Sequence, residues 1–236
     1  MNVRAVVFDL DGPILDSFRE GLRRIKIVSA VLDVPYTREH HKRLTQLWGL
    51  PGIELIVQGM GLGEKFVKEV FYPAWERYDL KNQISLVPRT REVLGWLRRN
   101  KIVVTVLTSR HREGVLEMLD KLDLARDFVV ISTKFDTPYR KPDPRVFHFT
   151  LQELADRFKI SKSEIIFVGD TPADVDAGVA AQIETLLVQT GPYLLKHAEK
   201  LPLSLGNILN SIDDLPSWIE ERHEAGLGEA PLTSYE

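Results

Sequence analysis

An α/β fold with a parallel sheet follows from two features of the sequence. Short apolar runs rich in Val, Ile and Phe recur along the chain, and amphipathic segments of helical period lie between them. A third feature is a stretch from Ser17 to about Ser85 that holds helical periodicities and no convincing strand. It adds an all-helical insertion directly after the first apolar run.

Taken in order, Val3–Leu10 reads as the first strand, too short for a helix and interrupted by acids at its end. Within the insertion the clearest helix is Glu64–Tyr78, where Val67, Val70, Phe71, Ala74, Trp75 and Tyr78 share a stripe and form core. The next helix is Thr90–Asn100, with Val93, Leu94 and Leu97 on one face. The second strand is Ile102–Leu107. Arg112–Leu122 follows as a helix that turns Val115, Leu116, Leu119 and Leu122 inward. Phe128–Ile131 is a short third strand, Pro144–Phe158 a helix, Ile165–Val168 the fourth strand, Ala173–Ala181 a helix and Thr185–Val188 the last strand. This order assigns residues 1–16 and 86–222 to the core and 17–85 to the helical insertion. The stretch 223–236, with "EAGLGEAPLTSYE" from Glu224, has little apolar content and reads as a flexible tail.

Composition sets outer limits. Hydrophobic residues make up 44% of the 236 and charged residues 28%, an ordinary globular mix. The formal net charge of −3 gives no basic footprint for nucleic acid, yet leaves room for a local anion site. With no cysteine there are no disulfides, thiolate metal sites or cysteine nucleophile. No stretch approaches the ~18–20 apolar residues of a membrane span, and the N-terminus lacks a signal-peptide pattern. The expectation is a cytoplasmic protein, monomer or homodimer, whose partner is a small molecule rather than nucleic acid or membrane.

The chemistry gathers at strand ends. "VVFDLDGPILDS" closes the first strand with Asp9 and Asp11 and then turns at Gly12-Pro13. Two carboxylates that close repel each other unless a cation or a hydrogen-bond network holds them. Thr108 and Ser109 end the second strand, Lys141 lies in "YRKPDPRVF" before a helix, and Asp170 ends the fourth strand with Asp174 and Asp176 beyond it. In a parallel sheet these groups meet at the carboxyl edge. Hard oxygen ligands for a divalent ion, with positive charge facing a phosphoryl group, are what metal-assisted phosphoryl transfer requires.

These motifs resemble those of the haloacid dehalogenase-like hydrolases, in particular the phosphoglycolate phosphatase-like branch. "DLDGPILDS" is similar to the family's Asp-x-Asp-Gly motif, "VTVLTSR" to a strand ending in Thr or Ser, "RKPDPRVF" to Lys-Pro-Asp-Pro-x-x-Phe, and "VGDTPADVDAG" to Gly-Asp-x-x-x-Asp. The resemblance spans Val3 to Val188. It implies a Rossmann-like parallel sheet covered by helices on both faces, with a smaller all-helical cap domain. It also implies a magnesium-dependent phosphatase of a small phosphorylated metabolite, with phosphoglycolate or a sugar phosphate as candidates. On this resemblance Asp9 is the nucleophile that forms an aspartyl-phosphate. Asp11 is the acid and base, its pKa raised by Asp9, and Thr108 and Lys141 hold phosphoryl charge. Mg2+ is bound by Asp9, the Asp11 carbonyl and Asp170, with Asp174 behind them. The Leu10 and Asp11 amides cradle phosphate, and Ser109 and Arg110 are further substrate contacts. From the cap, the "WGLPG" loop with Trp48 and Gly49, and Arg43 nearby, are candidates for the leaving group. A phosphomutase of the beta-phosphoglucomutase type, or a non-enzymatic regulatory protein on the same scaffold, are the alternatives.

Three departures from the family pattern stand out. Pro13 stiffens the turn after the first motif, Arg140 precedes the motif lysine, and Gln182 stands where a glycine is usual, a strained choice if that position needs positive φ. His40 and His41 are adjacent, cannot face one metal from a helix and read as surface residues. Gly59, Gly61 and Gly63 lack a preceding strand and read as a loop between cap helices.

Overall fold

The computed structural model describes residues 2–192 and 201–227. Its sheet contains β1 (Ala5–Phe8), β2 (Val103–Leu107), β3 (Val130–Ser132), β4 (Ile165–Gly169), β5 (Glu184–Val188) and β6 (Ile208–Leu209), in the order β3-β2-β1-β4-β5-β6. Every neighbouring pair is parallel. β1 is central and buried along its whole length, which is why its sequence shows no polar alternation. The sheet splits the core in two. Val6 and Phe8 point to the face covered by α5 (Thr90–Arg99), α6 (Arg112–Lys121) and α9 (Leu215–Leu227). Ala5 and Val7 point to the opposite face, under α7 (His148–Phe158) and α8 (Pro172–Ala180).

Between β1 and α5 the chain builds a separate apolar cluster. It is formed by α1 (Ser17–Val31), α2 (Arg38–Gln46), α3 (Gly52–Met60) and a long helix, α4 (64–81). The chain leaves and returns side by side: the Asp16 amide donates to the Ser85 carbonyl and the Val87 amide to that of Ile14, both at 2.9 Å.

Several elements differ from the sequence reading. The short third strand lies at Val130–Ser132, two residues later than expected, because Phe128 packs into the core from the preceding loop. β6 was not anticipated; two residues carry no readable period. Helix α4 contains one π-type turn over Val67–Phe71, with the Tyr72 amide bonded to the Val67 carbonyl. The wider turn stacks Phe71 over Val67 and rotates Val70 outward to 38% exposure, so Val70 leaves the expected stripe. On α6, Leu116 is likewise outside, while Val115, Leu119 and Leu122 are buried. Helix α9 runs to Leu227, so residues 223–227 of the expected tail are helical, and the His223 ring accepts the Val3 amide at 2.9 Å. The rest of that tail, 228–236, lies outside the described residues. Gln182 adopts φ 56°, the left-handed conformation anticipated for a glycine position. His40 caps the start of α2 with Thr37, and the 61–63 loop begins with Gly61 at φ 67°. Among the described residues no helix is long and apolar enough to cross a membrane.

Candidate active site

The strand register brings the chemistry together. Phe8 lies opposite Val106 on one side and Val168 on the other, so Thr108 and Asp170 emerge at the carboxyl edge level with each other and one residue beyond Asp9. The Asp9 amide is fixed by the Val168 carbonyl at 2.8 Å and the Thr108 amide by that of Ser132 at 2.9 Å. After Asp11 the chain reverses at Gly12, whose φ of 94° suits glycine. A side chain at Gly12 or at Gly191 would collide with the Asp170 carboxylate, so these two glycines form a close-fitting slot for it. The Thr190 hydroxyl ties the slot's walls together by donating to the Gly12 carbonyl at 2.8 Å.

Asp174 is held from the first turn of α8. Thr171 caps that helix and Pro172 opens it, placing the Asp174 carboxylate under the Asp170 and Thr171 amides at 3.2 and 3.0 Å. Lys141 reaches the same point from the loop before α7. Its Nζ lies 3.0 Å from Asp9 Oδ1 and 2.5 Å from Asp174 Oδ1, with its side chain only 10% exposed. Asp11 is gripped by Arg110, whose Nε and Nη2 donate to its two oxygens at 2.7 Å each.

Burial and crowding shape the electrostatics. Burial pushes the Asp9 carboxyl up; Lys141 pulls it back, Asp174 and Asp11 push further, and the result is about 7. Asp170 is pushed up by burial, then by Asp174 and Asp9. Burial works against a charged Lys141, but Asp174 and Asp9 outweigh it and raise its pKa. Asp11 corrects the sequence reading. Burial would raise it, yet the Arg110 charge and hydrogen bonds prevail and hold it below the usual carboxylate value. The group with the raised pKa is Asp9, not Asp11.

The residues fit a hard divalent cation. Asp9, Asp170 and Asp174 each present a carboxylate oxygen within 4.8 Å of the others. No described residue donates a hydrogen bond to the Asp170 carboxylate, although Asp170 is 4% exposed, and an ion would meet that demand.

Asp9, Asp11, Thr108, Ser109, Lys141 and Asp170 line one cavity of 590 Å3, facing Trp48 and Gly49 of the cap loop. Leu10 is fully buried and is not in its lining; the Leu10 amide donates to Asp9 Oδ1 at 2.8 Å. Arg43 does not line it. It sits one turn earlier on α2 than Leu47, which does, and its buried Nε has no hydrogen-bond partner. Arg110 borders a neighbouring cavity instead. Sequence reasoning missed Ser17, Thr171 and the Thr190-Gly191 turn. A signal existed for the last, since "TGP" begins one residue after the fifth strand ends.

Fold and site define an α/β enzyme that works on its ligand at the carboxyl edge of a parallel sheet, under a helical cap. The family model for haloacid dehalogenase-like hydrolases matches residues 6–188. The chain belongs to that family. Phosphoglycolate phosphatase from Pseudomonas savastanoi pv. phaseolicola is 26% identical over 221 residues, covering 90% of this chain and 77% of the relative. A phosphorylated carbohydrates phosphatase from Thermotoga maritima is 25% identical over 190 residues, covering 78% of this chain and 84% of that one. These relatives group the chain with the phosphoglycolate phosphatase-like branch. Among solved structures, a candidate beta-phosphoglucomutase from Thermotoga maritima superposes with a TM-score of 0.73 at 22% identity, covering 95% of this chain and 99% of that one. A haloacid dehalogenase-like hydrolase from Streptococcus pneumoniae gives 0.68 at 18% identity, covering 92% and 98%. These likenesses carry the Rossmann-like fold and its cap.

Proposed function

We propose that the protein is a magnesium-dependent phosphatase that hydrolyses a small phosphorylated metabolite through an aspartyl-phosphate on Asp9. The enzyme is a phosphoric monoester hydrolase, as its relatives are named for phosphoglycolate and phosphorylated carbohydrates. The observation that carries the reading is Lys141 lodged between Asp9 and Asp174, with Asp170, Thr108 and Ser109 around the same cavity. That arrangement puts a nucleophile, a fixed cation and hydroxyl donors where one phosphoryl group fits.

In the first half-reaction an Asp9 oxygen attacks phosphorus, and the bond to the leaving alkoxide breaks. Asp11, freed from the Arg110 fork and protonated in the substrate complex, supplies the proton to that alkoxide. In the second, water attacks the phosphoryl group while Asp11 takes the proton, and Asp9 is regenerated as free carboxylate. Thr108 and Ser109 orient phosphoryl oxygens, and Lys141 offsets their charge. The Asp9 and Asp170 carboxylates and the Asp11 carbonyl would hold Mg2+, with Asp174 fixing Lys141 beside them. When bound, the ion screens the repulsion between carboxylate and phosphate. Residues 1–16 and 86–222 act as the catalytic core, while 17–85 act as the cap whose Trp48–Leu50 loop closes over the leaving group.

The test is hydrolysis of p-nitrophenyl phosphate by wild type and Asp9→Asn, with and without Mg2+. Turnover is expected only in wild type with the ion. Equal rates in both proteins would refute the reading.

A further inference from the structure

Helix α1 carries Arg19, Leu22, Arg23 and Lys26 at spacings that place them on one stripe. The stripe lines a cavity of 720 Å3, well within the ~300–1,000 Å3 of small-molecule sites. Helix α2 and the segment before it add Tyr36, Arg38 and His41, and the core turn Gly191-Pro192 completes the lining. Among the described residues this cavity and the one over Asp9 have no lining residue in common. Phe18 and Trp48 pack edge to face at 5.2 Å, and one of them lines each cavity.

Like charges gathered round one cavity repel, and only acids or a bound anion can offset them. Acids account for one of the four cations. Arg23 is held by Glu20, through Nε at 3.0 Å and Nη2 at 2.8 Å. Asp16 feels the Arg19 charge without pairing with it. Among the described residues Arg19, Lys26 and Arg38 form no ion pair, and no acid lines the cavity. In a chain of net charge −3 this is a local concentration of positive charge. The rings of Phe18 and Tyr36, with Leu22 and Pro192, make the remaining surface apolar. Rings beside unpaired cations suit a ligand with a flat body and several negative charges.

We propose that this cavity binds a nucleoside di- or triphosphate, its base against Tyr36 and Phe18 and its phosphates on Arg19, Lys26 and Arg38. A small inorganic anion would satisfy the cations and leave the rings unused. A ligand of this size touches the cap through α1 and α2 and the core through Gly191, the residue that walls the Asp170 slot. The site is separate from the catalytic cavity, and the inference does not rest on the phosphatase reading, because binding is measured without turnover.

The test is isothermal calorimetry of the full chain without added metal, titrated with ATP and with tripolyphosphate at low salt, where screening is weak. ATP is expected to bind at a single site, about 5-fold or more tighter than tripolyphosphate, the low end of what one stacked base provides. Lys26→Gln combined with Arg38→Gln is expected to weaken ATP ~10-fold or more, as the loss of charge-assisted contacts requires. Both residues are exposed, so the variant keeps the fold. Arg110→Gln, a change beside the catalytic cavity, is expected to leave ATP binding as it is. Absence of ATP binding, binding that survives the double variant, or binding lost in Arg110→Gln overturns the site. Equal affinity for ATP and tripolyphosphate overturns the nucleotide assignment.

Discussion

Replacing Lys141 with methionine removes the cation that sits between Asp9 and Asp174, at 3.0 and 2.5 Å. All three side chains are at most 10% exposed, so the carboxylates left behind have little water to turn to. Breaking a buried ion pair from one side costs about 3–5 kcal/mol. For a chain of this size each kcal/mol lowers Tm by roughly 2–4 °C, so the metal-free variant is expected to melt about 6–20 °C below wild type at pH 8. The sign of the pH dependence can be worked out. Lys141 has a raised pKa and is charged throughout pH 5–8, so the dependence comes from its partners. Asp9 titrates near 7, so below that value it is protonated and Lys141 holds only Asp174 strongly. The gap between variant and wild type therefore narrows as pH falls from 8 to 5. Calorimetric melts in EDTA at both pH values measure it. A variant that melts within about 2 °C of wild type at pH 8, or a gap that ignores pH, would refute the reasoning.

Two further predictions concern the metal. Because the Asp9 and Asp170 carboxyls are raised in the fold, their contribution to stability is present below 3.8 and, for Asp9, lost as pH rises through about 7. Mg2+ is thus expected to raise Tm more at pH 8 than at pH 6, since at the lower value it must displace protons; an equal rise at both, in matched melts, would contradict this. Gly191→Ala places a methyl group against the Asp170 carboxylate and is expected to weaken Mg2+ binding ~10–100-fold, read by isothermal calorimetry, while Gly63→Ala, in open space, leaves it unchanged.

The sheet was legible because its strands are buried on both faces and so appear as unbroken apolar runs bounded by Gly, Pro and acids. Helices α5 and α7 were legible from their period. The π-type turn in α4 was not, since one wider turn leaves the residue types unchanged and only rotates Val70 out of line. β6 escaped because two residues cannot display a period. At the site, residues at strand ends were placed by topology alone: Asp9, Thr108 and Asp170 follow directly from register. Contacts between distant segments were not, and the Arg110–Asp11 pair is the clearest case. The two lie 99 residues apart, and local sequence says nothing about which acid an arginine will meet. That pair reverses the expected direction of the Asp11 shift. Arg43 does not line the cavity for a related reason, since nearness in sequence to the cap loop does not say where a side chain on the preceding helix ends up.

The central claim is that Asp9 carries the phosphoryl group during turnover. Acid-quenching wild type in the presence of Mg2+ and a phosphate monoester, then mapping peptides by mass spectrometry, tests it directly. The account predicts a phosphoryl adduct on the peptide holding Asp9, absent in Asp9→Asn. Steady turnover with the adduct on another residue would contradict it.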